Sequence, residues 1–173
     1  MLAVNSIIGN IFQSRSLEEK HRVLDASGMC ERLKVSRLES QRVRLRKKTD
    51  KGTDIGLMLP REESLHHGDV LLLSPQQIII VEQIPEKVIS IALKDDIKKI
   101  ELPVKIGHII GNRHKPISFD SKGRILFPIE ADAEVDIFIN LMYDIIDQIE
   151  LKIEERIFES QTADGGGGSY EKH

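Results

Sequence analysis

From Val35 to Leu93 the apolar residues fall in short runs spaced for β-strands and punctuated by turn signals, a pattern that a helical bundle cannot use. RVRLRKK at 42–48 alternates Val43 and Leu45 with Arg42, Arg44 and Arg46, so a strand there buries one face and lines the other with guanidinium groups. TDKGTD at 49–54 supplies a turn in which Gly52 is free to take positive φ, and IGLMLP returns as the partner strand ending before Pro60. HHGD at 66–69 then leads into VLLLSPQQIIIVEQIP, two more apolar runs split by Ser74 and Pro75. Residues 1–85 are predicted to form a small, mostly antiparallel β domain.

The pattern changes after Pro85. KVISIAL at 87–93 reads as a strand, and Asp95 and Asp96 offer an N-cap to a helix carrying Ile97, Ile100 and Val104, which Pro103 must kink or restart. Gly111 or Asn112 is placed to take the left-handed conformation that ends it. KPISF at 115–119 and GRILFP at 123–128 follow as short strands around a turn at Gly123. Val135, Phe138, Met142, Ile145, Ile146 and Ile149 mark the strongest helical stripe of the chain, after which Ile149, Leu151 and Ile153 alternate with charged residues as a last strand. Residues 86–159 therefore run β-α-β-β-α-β, the order of a ferredoxin-like split arrangement, and the fold class is α+β. Residues 160–173, SQTADGGGGSYEKH, lack apolar periodicity and are expected to be a flexible, Gly-rich tail.

A chain of 173 residues that is 40% hydrophobic has enough apolar matter for cores of this size. It shows neither an 18-residue apolar run nor a secretory leader, so a complete cytoplasmic protein is expected, with no membrane partner. Cys30 is the only cysteine, which excludes an intrachain disulfide and any thiolate-rich cluster built by one chain, and it reads as a small buried or semi-exposed thiol. The net charge is only -3, but residues 31–61 carry ten bases against four acids and residues 130–160 ten acids against two bases. Such polarity can orient docking or can be two solvated surfaces.

No nucleophile with its base, paired carboxylates or phosphate cradle stands at recognisable spacing, so no enzyme is expected. The arginine-lined strand invites a nucleic-acid reading, but there is no Trp, and none of the two Tyr and five Phe interleaves with the basic run. A positive face for docking a protein fits better. His66 and His67 are adjacent and read as surface loop residues, and His21 lies in an ordinary charged segment. His114 closes Gly-Asn-Arg-His at a helix-to-strand corner, where it is either a hydrogen-bonded structural residue or a metal ligand.

GNRH at 111–114, together with the preceding RVRLRKKTDKGTDIGLMLPREESLHHGDVLLL, resembles the UreE family of urease accessory nickel metallochaperones. The similarity runs from IIGNI at 7–11 to the terminal histidine, and its most telling pieces are the GNRH tetrad and the LPR…L..GDVLL pattern between Leu59 and Leu72. The resemblance implies a homodimer formed through the C-terminal domains, in which His114 of both subunits holds one Ni²⁺ across the two-fold axis. It also implies an N-terminal module that docks urease accessory proteins, including the GTPase UreG, or apo-urease, and a protein that delivers nickel rather than catalysing a reaction. Imidazole suits Ni²⁺, and also Zn²⁺ or Cu²⁺, and a two-fold axis doubles a lone ligand. A metal-independent docking adaptor for the same partners is the competing expectation.

His173 is the candidate for an additional ligand, because the 14-residue tail has a reach of roughly 20 Å. His108 is a weaker one. Many family members carry His or Glu two positions before GNRH, where this chain has Ile109, and a shift of one residue along a helix turns a side chain by about 100°.

Overall fold

The computed structural model describes residues 1–94 and 100–159, and the chain divides into two compact units, Met1–Ile84 and Pro85–His173. The first contains β1 (Leu2–Val4), β2 (Gly9–Asn10), α1 (Arg15–Ala26), β3 (Cys30–Val35), α2 (Arg37–Ser40), β4 (Arg44–Lys48), β5 (Asp54–Met58), β6 (Asp69–Ser74) and β7 (Gln77–Gln83). They make a three-stranded sheet, β1-β5-β4, and a four-stranded sheet, β2-β6-β7-β3.

The two turns read from sequence are there. Gly52 takes φ +92 between antiparallel β4 and β5, whose register sets Leu45 opposite Leu57, and β6 returns as β7 after Ser74. Leu45 is buried while Arg42, Arg44 and Arg46 face solvent, as the alternation requires. Two pairings, β1 with β5 and β3 with β7, are parallel. The run Ile78-Ile79-Ile80-Val81 is buried throughout because its strand is covered on both faces. Ile79 and Val81 join Leu45, Ile55 and Leu57 of the three-stranded sheet, whereas Ile78 and Ile80 join Leu24 of α1, Cys30 and Val70. Sequence reasoning overlooked α1, although Leu17 and Leu24 stand two helical turns apart just before Gly28.

The GD pair of the LPR…L..GDVLL pattern has a local reason. Gly68 takes φ +85, and a Cβ there would lie 2.5 Å from the Phe12 ring. Buried Asp69 accepts from the Asn10 side chain (2.9 Å) and the His66 backbone N–H (2.7 Å), which pins the loop before β6. His67 lies in that loop as expected but is not a surface residue: it is half-buried, stacks on Phe12 with centroids 5.4 Å apart, and its Nδ1 accepts from Gln83 N–H at 3.3 Å.

The second unit contains β8 (Glu86–Leu93), α3 (Glu101–Gly111), β9 (Ser118–Phe119), β10 (Ile125–Pro128), α4 (Ala133–Leu141), a 3-10 helix (Tyr143–Gln148) and β11 (Ile149–Arg156). Its sheet is antiparallel in the order β11-β8-β10-β9. One face is packed by both α-helices: Ile89, Ile91 and Phe127 meet Leu102, Ile106 and Ile110 of α3 and Phe138 of α4. The ring centroids of Phe127 and Phe138 are 4.6 Å apart.

Several local expectations need correction. Pro103 does not kink α3, since it lies in the first turn of Glu101–Gly111, where a missing N–H breaks no intrahelical bond; whether a helix precedes it falls outside the described residues. The buried stripe of α3 is Leu102, Ile106 and Ile110, whereas Ile100 and Val104 are exposed, and Asp95, Asp96 and Ile97 lie outside the described residues. The Val135–Ile149 stripe is buried or half-buried but spans three kinds of backbone. α4 stops at Leu141, Met142 and Ile145 stay on one side through the three-residue period of the 3-10 turn, and Ile149 already belongs to β11. The alternation of β11 also slips, leaving Ile153 exposed.

Candidate metal centre

His114 stands at the end of α3, where the chain leaves the helix for β9. Lys115 N–H bonds back to Ile110 O (3.4 Å) and His114 N–H to Gly111 O (2.9 Å), the paired 6→1 and 5→2 bonds of a Schellman cap. In that motif the residue donating the shorter bond is left-handed, and His114 takes φ +53, the only positive φ at a non-glycine position among the described residues. This corrects the assignment of the left-handed residue to Gly111 or Asn112. Gly111 is still helical, and Asn112 has φ -62. The burial phase of Leu102, Ile106 and Ile110 carries the helix past the glycine, and the reversal falls on the histidine.

A left-handed residue with a Cβ costs about 1–2 kcal/mol, although histidine tolerates it better than most. His114 is exposed, so burial of its ring does not offset that cost. The segment is held nearby instead: Lys115, nearly buried, pairs with Glu134 at 2.7 Å and Glu130 at 3.9 Å. The imidazole is thus presented to solvent on a backbone whose direction is set by the cap.

His108 is also exposed, one and a half turns earlier, and its Nε2 lies 3.0 Å from Asn112 Nδ2. With the amide as donor, the imidazole proton sits on Nδ1. His173 lies outside the described residues. Among the described residues, no three His, Cys, Asp or Glu side chains converge on His114. One chain therefore presents an open, histidine-based donor rather than a closed cage, a donor set that fits Ni²⁺ only if further ligands come from elsewhere.

Three such side chains do converge in the first unit. His21 and Asp25, one turn apart on α1, meet Cys30 at the start of β3, with their ligand atoms all within 4.8 Å of one another. Burial pushes the Cys30 thiol up to about 11, and the Arg32 guanidinium, 2.7 Å away, holds the Asp25 carboxyl below its ordinary range. The signal available in sequence is the His-x-x-x-Asp spacing, which is informative only once residues 15–26 are known to be helical.

The class that the fold defines is an α+β protein with an exposed histidine at the end of a helix. The sequence profile described as "UreE urease accessory protein, N-terminal domain" matches residues 4–83. The chain is 31% identical over 119 residues to "Urease accessory protein UreE 1" of Pseudomonas syringae pv. syringae, covering 69% of this chain and 78% of that protein. It is 30% identical over 136 residues to "Urease accessory protein UreE" of Natronomonas pharaonis, covering 78% of this chain but 63% of that relative. The chain belongs to the UreE family, whose members are named as accessory proteins and not as enzymes.

Proposed function

We propose that this protein carries Ni²⁺ and delivers it to apo-urease during assembly of the urease active site, with His114 of two protomers holding one ion at a homodimer interface. The observation that carries this reading is the left-handed, exposed His114, because a costly backbone conformation at a residue with no burial to offset it points to use of its side chain. The relatives' names, as urease accessory proteins, support a role in urease maturation. The β-α-β-β-α-β order and β11-β8-β10-β9 sheet support reading the second unit as the ferredoxin-like metal-binding and dimerisation domain. Exposed Val104 of α3, Ile137 and Leu141 of α4, and Tyr143 supply apolar surface for such an interface.

Open coordination suits a carrier. Two imidazoles leave positions for water, for His173 or for a receiving protein, and His108 contributes only by giving up Asn112. Zn²⁺ and Cu²⁺ compete for the same donors. The test is Ni²⁺ titration of the protein and of His114→Ala: unchanged affinity and stoichiometry in the variant eliminates the proposal. Because protonated imidazole cannot ligate, nickel should also leave as the pH falls below about 6, and retention at pH 5 would implicate carboxylates.

A docking role for the first unit, with UreG or the apo-urease complex in a cytoplasmic setting, is favoured by one surface. Val23 and Leu24 of α1, Leu73 of β6 and Pro75 just after it line a groove edged by Glu19, Lys20 and Ser74. Capture of accessory proteins in the presence of a chelator, lost on Val23→Asp, would make docking independent of metal. No helix among the described residues is long and apolar enough to cross a membrane.

A further inference from the structure

We propose that His21, Asp25 and Cys30 form a second metal site, a nitrogen, oxygen and sulfur triad for one borderline divalent cation such as Zn²⁺, Co²⁺ or Ni²⁺. Three observations carry it. The ligand atoms already lie within 4.8 Å of one another, and bonds of about 2.0–2.3 Å in a tetrahedral site need separations of roughly 3.3–3.7 Å, so closure takes about an ångström. His21 Nε2 is buried and has no hydrogen-bond partner, which is costly for an imidazole nitrogen and is relieved by a metal. The backbone is set by an independent cap: Met29 N–H bonds to Leu24 O (2.7 Å) and Gly28 N–H to Asp25 O (2.9 Å), with Gly28 at φ +71, which swings Cys30 back beneath the helix.

The donor set selects the class of ion. A thiolate and an imidazole disfavour Mg²⁺ and Ca²⁺, which take oxygen ligands, and favour borderline cations with a water in the fourth position. Ligation breaks the Cys30 S–H bond and forms a sulfur–metal bond, and the proton leaves to solvent. Arg32 does not close the site. Its guanidinium reaches Asp25 Oδ1 at 2.7 Å, but it also faces Glu82 at 3.6 Å and Asp50 at 3.9 Å, so it keeps carboxylate partners when Asp25 turns to a metal. Entry is from the Asp25 side, because Cys30 itself is buried in the core with Leu24 and Val70.

The single cysteine makes the test specific, since any thiolate-to-metal charge transfer must come from Cys30. The full chain carrying His114→Ala, titrated with Co²⁺, should develop a near-ultraviolet thiolate band that saturates at one ion per chain. Adding His21→Ala or Asp25→Asn should weaken Co²⁺ binding at least tenfold, and Cys30→Ala should abolish the band, with folding checked by circular dichroism. Zn²⁺ should likewise slow alkylation of Cys30 in the His114→Ala chain. Absence of the band together with unchanged alkylation overturns the proposal, as does a band of full strength in His21→Ala. Because His114 is missing throughout, the outcome is independent of the interface site.

Discussion

His114 and Gly28 occupy the same position in the same capping motif at the ends of two helices, one with a side chain and one without. Each donates the 5→2 bond from a left-handed backbone, at φ +53 and φ +71. The glycine ends α1 without steric cost. The histidine ends α3 at the steric cost of a Cβ in that region, with its ring exposed.

Exchanging the two chemistries should separate stability from binding. His114→Gly is expected to stabilise the metal-free second unit by about 0.5–1 kcal/mol, the relief of left-handed strain outweighing the added entropy of the unfolded chain. The same variant should lose nickel at the proposed site, and urea unfolding beside a metal titration checks both.

Gly28→Ala is the reverse case. Nothing lies within 4 Å of the added Cβ, so the cost is backbone strain alone, about 1–2 kcal/mol, read as a lower unfolding midpoint of the first unit.

Gly68→Ala should cost more than Gly28→Ala. Besides φ +85, its Cβ meets the Phe12 ring at 2.5 Å and Ile11 at 3.0 Å, so Phe12 must leave its stack on His67. A loss of about 2–3 kcal/mol is expected in denaturant unfolding, and equal losses in the two variants would show that the Phe12 contact is unimportant.

Acid should weaken the first unit through Glu39. Hydrogen bonds from Lys47 and from the Ser36 backbone N–H lower its pKa from 4.5, so the stability it contributes is present above that value and lost as pH falls through the folded value. Urea midpoints measured between pH 7 and about pH 3 should fall less steeply in Glu39→Gln.

Two neighbours on α3 should behave oppositely. Ile106→Ala removes a side chain with 0% exposure from the core and should cost about 2–5 kcal/mol, whereas Val104→Ala, 66% exposed, should cost under about 0.5 kcal/mol in the protomer.

Where a structural choice depends on residues close in the chain, it is legible in the order of the amino acids. The β4–β5 hairpin follows from strict alternation and Gly52, the β6–β7 pair from Ser74 and Pro75, and the β9–β10 turn from Gly123. GNRH likewise marks His114 as a candidate donor, and the fold sets it exposed at the corner where the spacing puts it.

The remainder depends on burial between distant segments. Helical spacing alone offers Ile100 and Val104 as an inner stripe, but contact with Ile89, Ile91 and Phe127 chooses Leu102, Ile106 and Ile110, and that phase decides that His114 takes the left-handed turn. The run at 78–81 can be known as a strand, but only the second sheet and α1 show why both its faces are apolar. His21, Asp25 and Cys30 are ordinary in line and close in space because a helix and its glycine cap fold one segment onto the other. Sequence determined the periods and the turns, which are local energies; tertiary packing decided the phase of each helix and the company each histidine keeps, because those follow from surface removed from water across the whole unit.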